Sequence, residues 1–331
     1  MTLSKTILGS IAAVLALTGA TAAKAQTAEP SYPTRVVRFI VPASAGGPSD
    51  IVARLVADKL GQALGQPVIT ENRPGGSLMI GTSAVAKSEP DGYTLLVTTS
   101  TPIVTVPFTI KNVPYDVQQD LVTVSHLGST PLVLYVASNS PAKSLKDVLD
   151  IAKAKPEQAN YGSYGTGSSA HILNEHVVRQ TGVKMVHVPY KGVAPELQDL
   201  VGGQILTAVA DIGSAAPLVQ GGQIRAVAVT GSKRSSLLAD VPTFAEQGVS
   251  GLEPFSPWWG VFAPKKTPKA VVDKLSSEIQ KIVKSPEFNA KMASLGIEPT
   301  GLLSEDADRT TRDEMARWKG IIANLSDVKF E

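Results

Sequence analysis

The chain reads as a two-domain α/β protein, each domain a mostly parallel sheet flanked by helices, with two crossings of the chain between the domains. Three observations predict this. Strand-like and helix-like segments alternate over residues 35–98 and again over 126–230, and such alternation builds parallel sheets covered by helices. The segment after Gly231 is rich in helical pattern and is expected to pack back on the first module, which supplies the second crossing. Two glycine-rich turns, Val41–Asp50 and Tyr161–Ala170, lie about one domain apart, and both read as strand–turn–helix junctions.

The elements follow in order. Lys5, an apolar run from Ile7 to Leu17 and Ala23-Lys24-Ala25 form the n-region, h-region and A-x-A site of an export signal. Cleavage is expected before Gln26, and the run is too short to span a bilayer; a buried N-terminal helix is the alternative. After a polar spacer, Arg35–Val41 reads as a strand. Asp50–Leu64 reads as a helix, with Ile51, Leu55, Val56 and Leu60 near helical spacing and Gly65 as its stop. Val68–Glu71 is a short strand, Asn72–Gly76 a turn, Met79–Lys87 a helix, Pro90-Asp91-Gly92 a turn and Thr94–Thr98 a strand. Thr99–Val124 reads as irregular and proline-rich.

The second module opens with a strand over His126–Ala137. Ser144-Leu145-Lys146-Asp147 can cap a helix reaching Ala154. Strands over 160–163, 185–188, 205–210 and 224–230 then alternate with helices over 169–180, 195–201 and 214–220. No sequence repeat relates the halves. Trp258–Pro264 follows proline-rich loops, and helices are expected over 268–283, 286–295 and 304–324, with Met315, Trp318 and Ile322 as core anchors of the last. The division is therefore an export signal at 1–25, one domain from 26–125 and 231–331, and a second from 126–230.

Bulk properties narrow the function. Hydrophobic residues make up 43% and charged residues 18% of 331, as in ordinary globular proteins. With Lys5 and Lys24 removed, 29 of 31 basic residues remain against 29 acidic ones, so the net charge beyond the signal is zero. Nothing then favours a nucleic-acid partner. The chain has no cysteine, which excludes a disulfide, a thiol nucleophile, an iron–sulfur site and a lipid-modified cysteine.

In an open parallel sheet, ligands bind beyond the carboxyl ends of the strands, where both glycine turns fall. Gly46, Gly47, Gly165 and Gly167 let backbone approach a ligand, and a helix start offers unpaired N–H groups that favour an anion. Ser44, Ser49, Thr166, Ser168 and Ser169 add hydroxyls, and Ala45 lies within the first turn. Tight, self-capped turns are the alternative. Thr98–Thr101, with Ser100 at its centre, ends a strand at the same edge and reads as either ligand hydroxyls or a solvated loop. Asp50 and Arg54 are spaced for a helix-surface ion pair. Asp211 closes a strand and can bind a ligand amine or ordered water, or cap the next helix. His171 is read as a packing or hydrogen-bonding side chain ahead of a metal ligand, since four histidines and no HExxH argue against a metal site. Tyr190 and Lys191 fall just past a strand end and can wall a cleft. No G-x-S-x-G and no P-loop occurs. Gly165–Ala170 satisfies G-x-G-x-x-A, but the following strand lacks an acid for a ribose. No pairing of a base with a nucleophile is evident, so the chain reads as a binder without catalytic residues or cofactor. A nucleotide-dependent enzyme using Gly165–Ala170 is the rival.

The residues also resemble a known family. Tyr32-Pro33, Phe39-Ile40-Val41-Pro42, Ala45-Gly46-Gly47, Asp50 and Ala53-Arg54 look like the opening of the tripartite tricarboxylate transporter solute receptors, the Bug proteins. Glu71–Gly75, Ile80-Gly81, Val85-Ala86-Lys87, Pro90–Leu96, Pro114-Tyr115-Asp116, His187–Gly192, Gly202-Gly203, Arg225–Thr230 and Asp240–Thr243 follow in the same order. The resemblance implies a periplasmic, hinged, clamshell binding protein, monomeric, that delivers a small carboxylate or related polar compound to an inner-membrane permease. It implies ligand contacts from Ser44 to Ser49 and Gly165 to Ser169, with His171, Tyr190 and Asp211 near the cleft. Ala43 stands where many relatives have an aromatic residue, and Gly76-Ser77-Leu78-Met79 replaces a run of small residues.

Overall fold

The computed structural model describes residues 32–190, 192–253, 255–325 and 328; the export signal and Lys191 lie outside them. Arg35 begins the compact unit that carries every strand. The first half builds β1 (Val37–Val41), α1 (Pro48–Leu64), β2 (Val68–Asn72), α2 (Met79–Ala86) and β3 (Thr94–Thr99). A π-helical turn (Thr101–Thr105) and two one-turn helices, α3 (Val106–Thr109) and α4 (Val117–Asp120), lead to β4 (Leu121–Ser129). The middle comprises β5 (Leu132–Ala137), α5 (Leu145–Ala154), β6 (Asn160–Ser163), α6 (Ser169–Thr181), β7 (Val186–Pro189), α7 (Val193–Val201), β8 (Ala208–Asp211), α8 (Ile212–Gln220) and β9 (Ile224–Val229). The chain ends with β10 (Trp258–Pro264), α9 (Lys269–Val283), α10 (Pro286–Ser294), β11 (Glu298–Leu302) and α11 (Ser304–Ala323).

The large sheet has the order β11-β4-β10-β3-β1-β2. Its central strands are apolar on both faces: Phe39, Ile40, Leu95, Leu96, Val261 and Phe262 are all essentially inaccessible, as expected where helices cover both sides. Helix α1 buries Val52, Val56 and Leu60, spaced by four residues, and stops at Gly65, whose φ of 68° and N–H to the Gly61 carbonyl make a left-handed cap. The smaller strands form a β8-β5-β9 sheet and a β6-β7 pair, bridged by a parallel contact between Tyr161 and Thr207. The helices here are capped as their sequences suggest. Ser144 accepts from Asp147 N–H, Ser168 from His171 N–H and Asp211 from Ser214 N–H.

Three features differ from the sequence reading. Pairing is mixed where a mostly parallel sheet is expected. β1 runs parallel to β2 and β3, but β10 lies antiparallel between β3 and β4 because the returning chain enters the sheet in reverse. The strand read over His126–Ala137 is two strands in different sheets: β4 pairs with β10 and β11, and β5 with β8 and β9. Thr130-Pro131 separates them, and Pro131 has no N–H to continue a ladder. Thr99–Val124 is largely regular: it holds a π turn, two short helices and the start of β4.

Candidate functional site

The first glycine turn follows β1. Ser44, Ala45 and Gly46 are exposed, and Gly47 is half-buried. Gly46 takes a φ of +83°, open to glycine without strain. Its N–H donates to Asp50 Oδ2 at 2.9 Å, and Arg54 Nε donates to the same oxygen at 3.0 Å. The Arg54 guanidinium thus holds the Asp50 carboxyl below its usual range. Asn72 Nδ2 donates to the Ala43 carbonyl, and Ser49 Oγ accepts from the indole of Trp259 at 3.0 Å, which pins the turn to β10. From α2, Gly81 abuts Pro42 so closely that a Cβ there would lie 2.8 Å from the proline ring. Helix α1 begins at Pro48 with Gly47 as N-cap and no side-chain cap. Among the described residues, no protein acceptor meets the N–H groups of Gly47, Ser49 or Asp50. An uncapped helix start with an exposed serine beside it suits an anion.

The second turn follows β6 and is more self-contained. Gly167, with φ +72°, donates its N–H to His171 Nδ1 at 3.1 Å, and Ser168 N–H donates to the Gly165 carbonyl. The Tyr164 hydroxyl lies beside the Ser169 side chain and the Ala170 N–H, and burial pushes its pKa up. Thr166 is exposed; Ser168 and Ser169 are buried. The sequence expectation of free amides at both turns is therefore met better by the first than by the second. Both share one device: the turn glycine donates to a side chain four residues on, Asp50 in one and His171 in the other.

Beneath the second turn lies a polar stack. The rings of His171 and His187 stack at 3.8 Å, and Tyr161 stacks on His187 at 5.1 Å. Burial lowers both histidines to about 4, so both are neutral at pH 7. The Tyr161 hydroxyl donates to Glu175. Ser163 Oγ lies 2.6 Å from His187 Nε2 and 3.0 Å from the Gly165 carbonyl. The sequence reading found no base beside a nucleophile, and this serine–histidine contact corrects it, since only folding brings together residues on neighbouring strands. Ser163 is wholly buried and its hydroxyl shapes the turn. The stack explains His171 as a packed hydrogen-bonding residue. Among the described residues, no group of three or more His, Cys, Asp or Glu is placed to hold a metal.

The remaining residues take their places at the same strand ends. Ser100 is buried after β3, its N–H donating to the Trp258 carbonyl and its own carbonyl accepting from the π turn. Tyr190 follows β7; its N–H donates to the Ser163 carbonyl and its hydroxyl to Asp199 at 2.7 Å. Asp211 caps α8 through both oxygens, to Ser214 N–H and Ser214 Oγ. The candidates thus form two groups. Ser44–Ser49 and Ser100 sit at the carboxyl ends of the parallel strands β1 and β3, and Gly165–His171, Tyr190 and Asp211 at those of β6, β7 and β8. Sequence reasoning missed Trp259, Tyr164, Ser163 and His187. Ser163 and Tyr164 carried a local signal, by standing inside the glycine turn. A cavity of about 480 Å³ lined by Phe108, Tyr115, Arg312, Met315 and Lys319 includes none of these residues.

Parallel strands of two sheets that end in glycine turns, joined by paired crossings, are the build of a two-domain solute-binding receptor. Comparison with known proteins agrees. The sequence matches the tripartite tricarboxylate transporter family receptor over residues 52–326. Protein BugT of Bordetella pertussis is 35% identical over 314 residues, covering 93% of this chain and 96% of its own. The solved structure of R. palustris Rpa4515 with adipate superposes with a TM-score of 0.80 at 35% identity, covering 88% of this chain and 97% of that one. MatC (Rpa3494) from Rhodopseudomonas palustris with bound malate gives a TM-score of 0.74 at 28% identity, over 88% and 100%. The chain belongs to the tripartite tricarboxylate transporter receptor family.

Proposed function

We propose that this receptor captures a small carboxylate, or a related polar metabolite, between its two glycine turns and delivers it to a tripartite tricarboxylate-type permease. The single observation that carries this reading is the uncapped start of α1, with the N–H groups of Gly47, Ser49 and Asp50 beside the exposed Ser44. Thr166 on the second turn supplies the opposing contact, with Tyr190 and Asp211 flanking it. Similarity to proteins solved with adipate and malate points to the same ligand class. The export signal read at 1–25 assigns the work to the periplasm. Ser163 and His187 do not argue for catalysis, because Ser163 is wholly buried and its hydroxyl holds the turn. We read the chain as a monomer without enzymatic activity.

Strand pairing also suggests where the lobes divide. β4 and β10 share the large sheet while β5 and β9 share a small one. The segment after β9 stays with the small-sheet lobe through the Val229–Thr243 bridge and the Gln247 bond to the Val227 carbonyl. We place the crossings near Thr130-Pro131 and Ser256-Pro257.

A thermal-shift panel tests the function. Adipate, malate, aromatic acids, amino acids, NAD and ATP are each added to the mature protein. A carboxylate at a hundred times its Kd should stabilise the fold by about 2.7 kcal/mol. Ser44→Ala and Thr166→Val should each weaken that ligand about two- to tenfold, the worth of one hydroxyl bond. Stabilisation by NAD or ATP alone would replace the receptor reading with the nucleotide-dependent one.

A further inference from the structure

The two lobes meet at a seam where bare backbone touches backbone. Gly213 is the second residue of α8, on the small-sheet side, and Leu295-Gly296 is the turn between α10 and β11, on the large-sheet side. A Cβ on Gly213 would lie 2.1 Å from the Leu295 carbonyl oxygen and 2.8 Å from its carbon. In the other direction, a Cβ on Gly296 would lie 2.6 Å from Gly213 N and 3.1 Å from Gly213 Cα. Neither separation admits a side chain, and the obstructing atoms are backbone that no rotamer change can move. Gly296 is fixed independently: its φ of +71° closes α10, with its N–H on the Ala293 carbonyl and Ile297 N–H on the Met292 carbonyl. The Leu295 carbonyl belongs to the C-terminal end of one helix and meets the first turn of another, an arrangement the two helix dipoles favour. Beside this contact, Ser235 Oγ and Ser236 Oγ donate to Glu298 Oε1 at 3.2 and 3.5 Å.

The seam is coupled to the candidate site by its position. Asp211, which caps α8, is two residues from Gly213, and its Oδ1 would be 3.4 Å from a Cβ on that glycine. A ligand that engages the end of β8 therefore acts on the same helical turn that bears on Leu295. We infer that Gly213, seated against Leu295 and Gly296, is a positioning residue for ligand capture: the missing side chain sets how closely the lobes approach. This rests on the reading above that the lobes form a ligand cleft.

The test uses the absence of native cysteines. Lys153→Cys and Lys284→Cys place spin labels at exposed positions, one on each lobe, and pulsed electron spin resonance gives the interlobe distance distribution of the ligand-free protein. In Gly213→Ala the distribution should broaden and move to longer distance. Alanine within an unobstructed helix stabilises it, so a raised Tm with an unchanged distribution would overturn the inference. Gly320→Ala, also helical but with nothing within 4 Å of its Cβ, should leave the distribution unchanged, and an equal shift there would overturn it too. If Gly213→Ala fails to fold, the double variant Ser235→Ala/Ser236→Ala releases Glu298 at the same seam and should shift the distribution in the same direction. No shift in that variant would overturn the proposal. Adipate then serves as probe, and Gly213→Ala should weaken its binding at least tenfold. A parent that binds none of the carboxylates defeats the functional reading but leaves the distance result standing.

Discussion

Glu196 shows how a single side chain sets a pH dependence. It is fully buried under the second turn, where Gly162 leaves room for it: a Cβ on that glycine would lie 2.8 Å from Glu196 Cγ. Oε1 accepts from Val209 N–H at 2.9 Å, while Oε2 finds no partner among the described residues. Burial raises its pKa to about 8, and burial likewise raises Glu314, bonded to the Trp258 indole, to about 7. The folded protein holds these protons where the unfolded chain has released them, so their contribution falls as pH rises from 4.5 to 8. His126, His171 and His187 act oppositely: burial lowers each from 6.5 to about 4, so stability rises with pH across that interval. Of these five groups, the two carboxyls are the ones that act between pH 6.5 and 8. Thermal melts across that range should show stability declining with pH, and Glu196→Gln should flatten the decline. Equal slopes in parent and variant would show that Glu196 does not carry the proton. No pattern in the sequence marks Glu196 as buried, because its environment is made by Gly162 and Ile205 from neighbouring elements.

Among the elements, the two glycine turns were legible and their internal wiring was not. Pro48 after Gly46-Gly47, and Ser168 before an apolar helical run, announce helix starts locally. Which amides face outward depends on the Gly46–Asp50 and Gly167–His171 bonds, and those require particular rotamers on the first helical turn. The Ser49–Trp259 bond spans 210 positions and leaves no local trace. Its worth can be measured. Ser49→Ala leaves the buried indole N–H without an acceptor and should cost about 1–3 kcal/mol in urea unfolding; an unmoved midpoint would mean that the first turn is held by other contacts. The strand read over 126–137 failed because β4 and β5 are extended and follow one another closely, and the cluster Gly128-Ser129-Thr130-Pro131 is the local signal of the change of sheet. The three prolines Pro102, Pro107 and Pro114 suggested irregular chain, yet two of them occupy the first turns of the π turn and α3, where a missing N–H costs nothing.

For the whole molecule, one hydroxyl links the paired crossings, beside the Thr130 N–H bond to the Pro257 carbonyl. Thr230 Oγ1 accepts from Leu132 N–H on β5 and donates to the Phe255 carbonyl in the segment that leads back to β10. Thr230 is 2% exposed, so neither partner has water as an alternative. Thr230→Val keeps the shape and removes both bonds. It should destabilise by roughly 1–3 kcal/mol for each group left unpaired, read from urea melts. No change would indicate that the crossings are held elsewhere. The plan of two successive α/β modules was legible from the repeated alternation of elements. The reversal of β10 was not, because strand direction is set by which lobe the chain returns to.

The closure of each glycine turn onto its own helix has a kinetic consequence. Gly46 with Asp50, and Gly167 with His171, fix both turns within five residues of chain, before any guest arrives. Little disorder remains to be surrendered on contact. On the proposed role of these turns, uptake should therefore proceed at the pace of molecular encounter and lobe motion, without a slow folding phase in either turn.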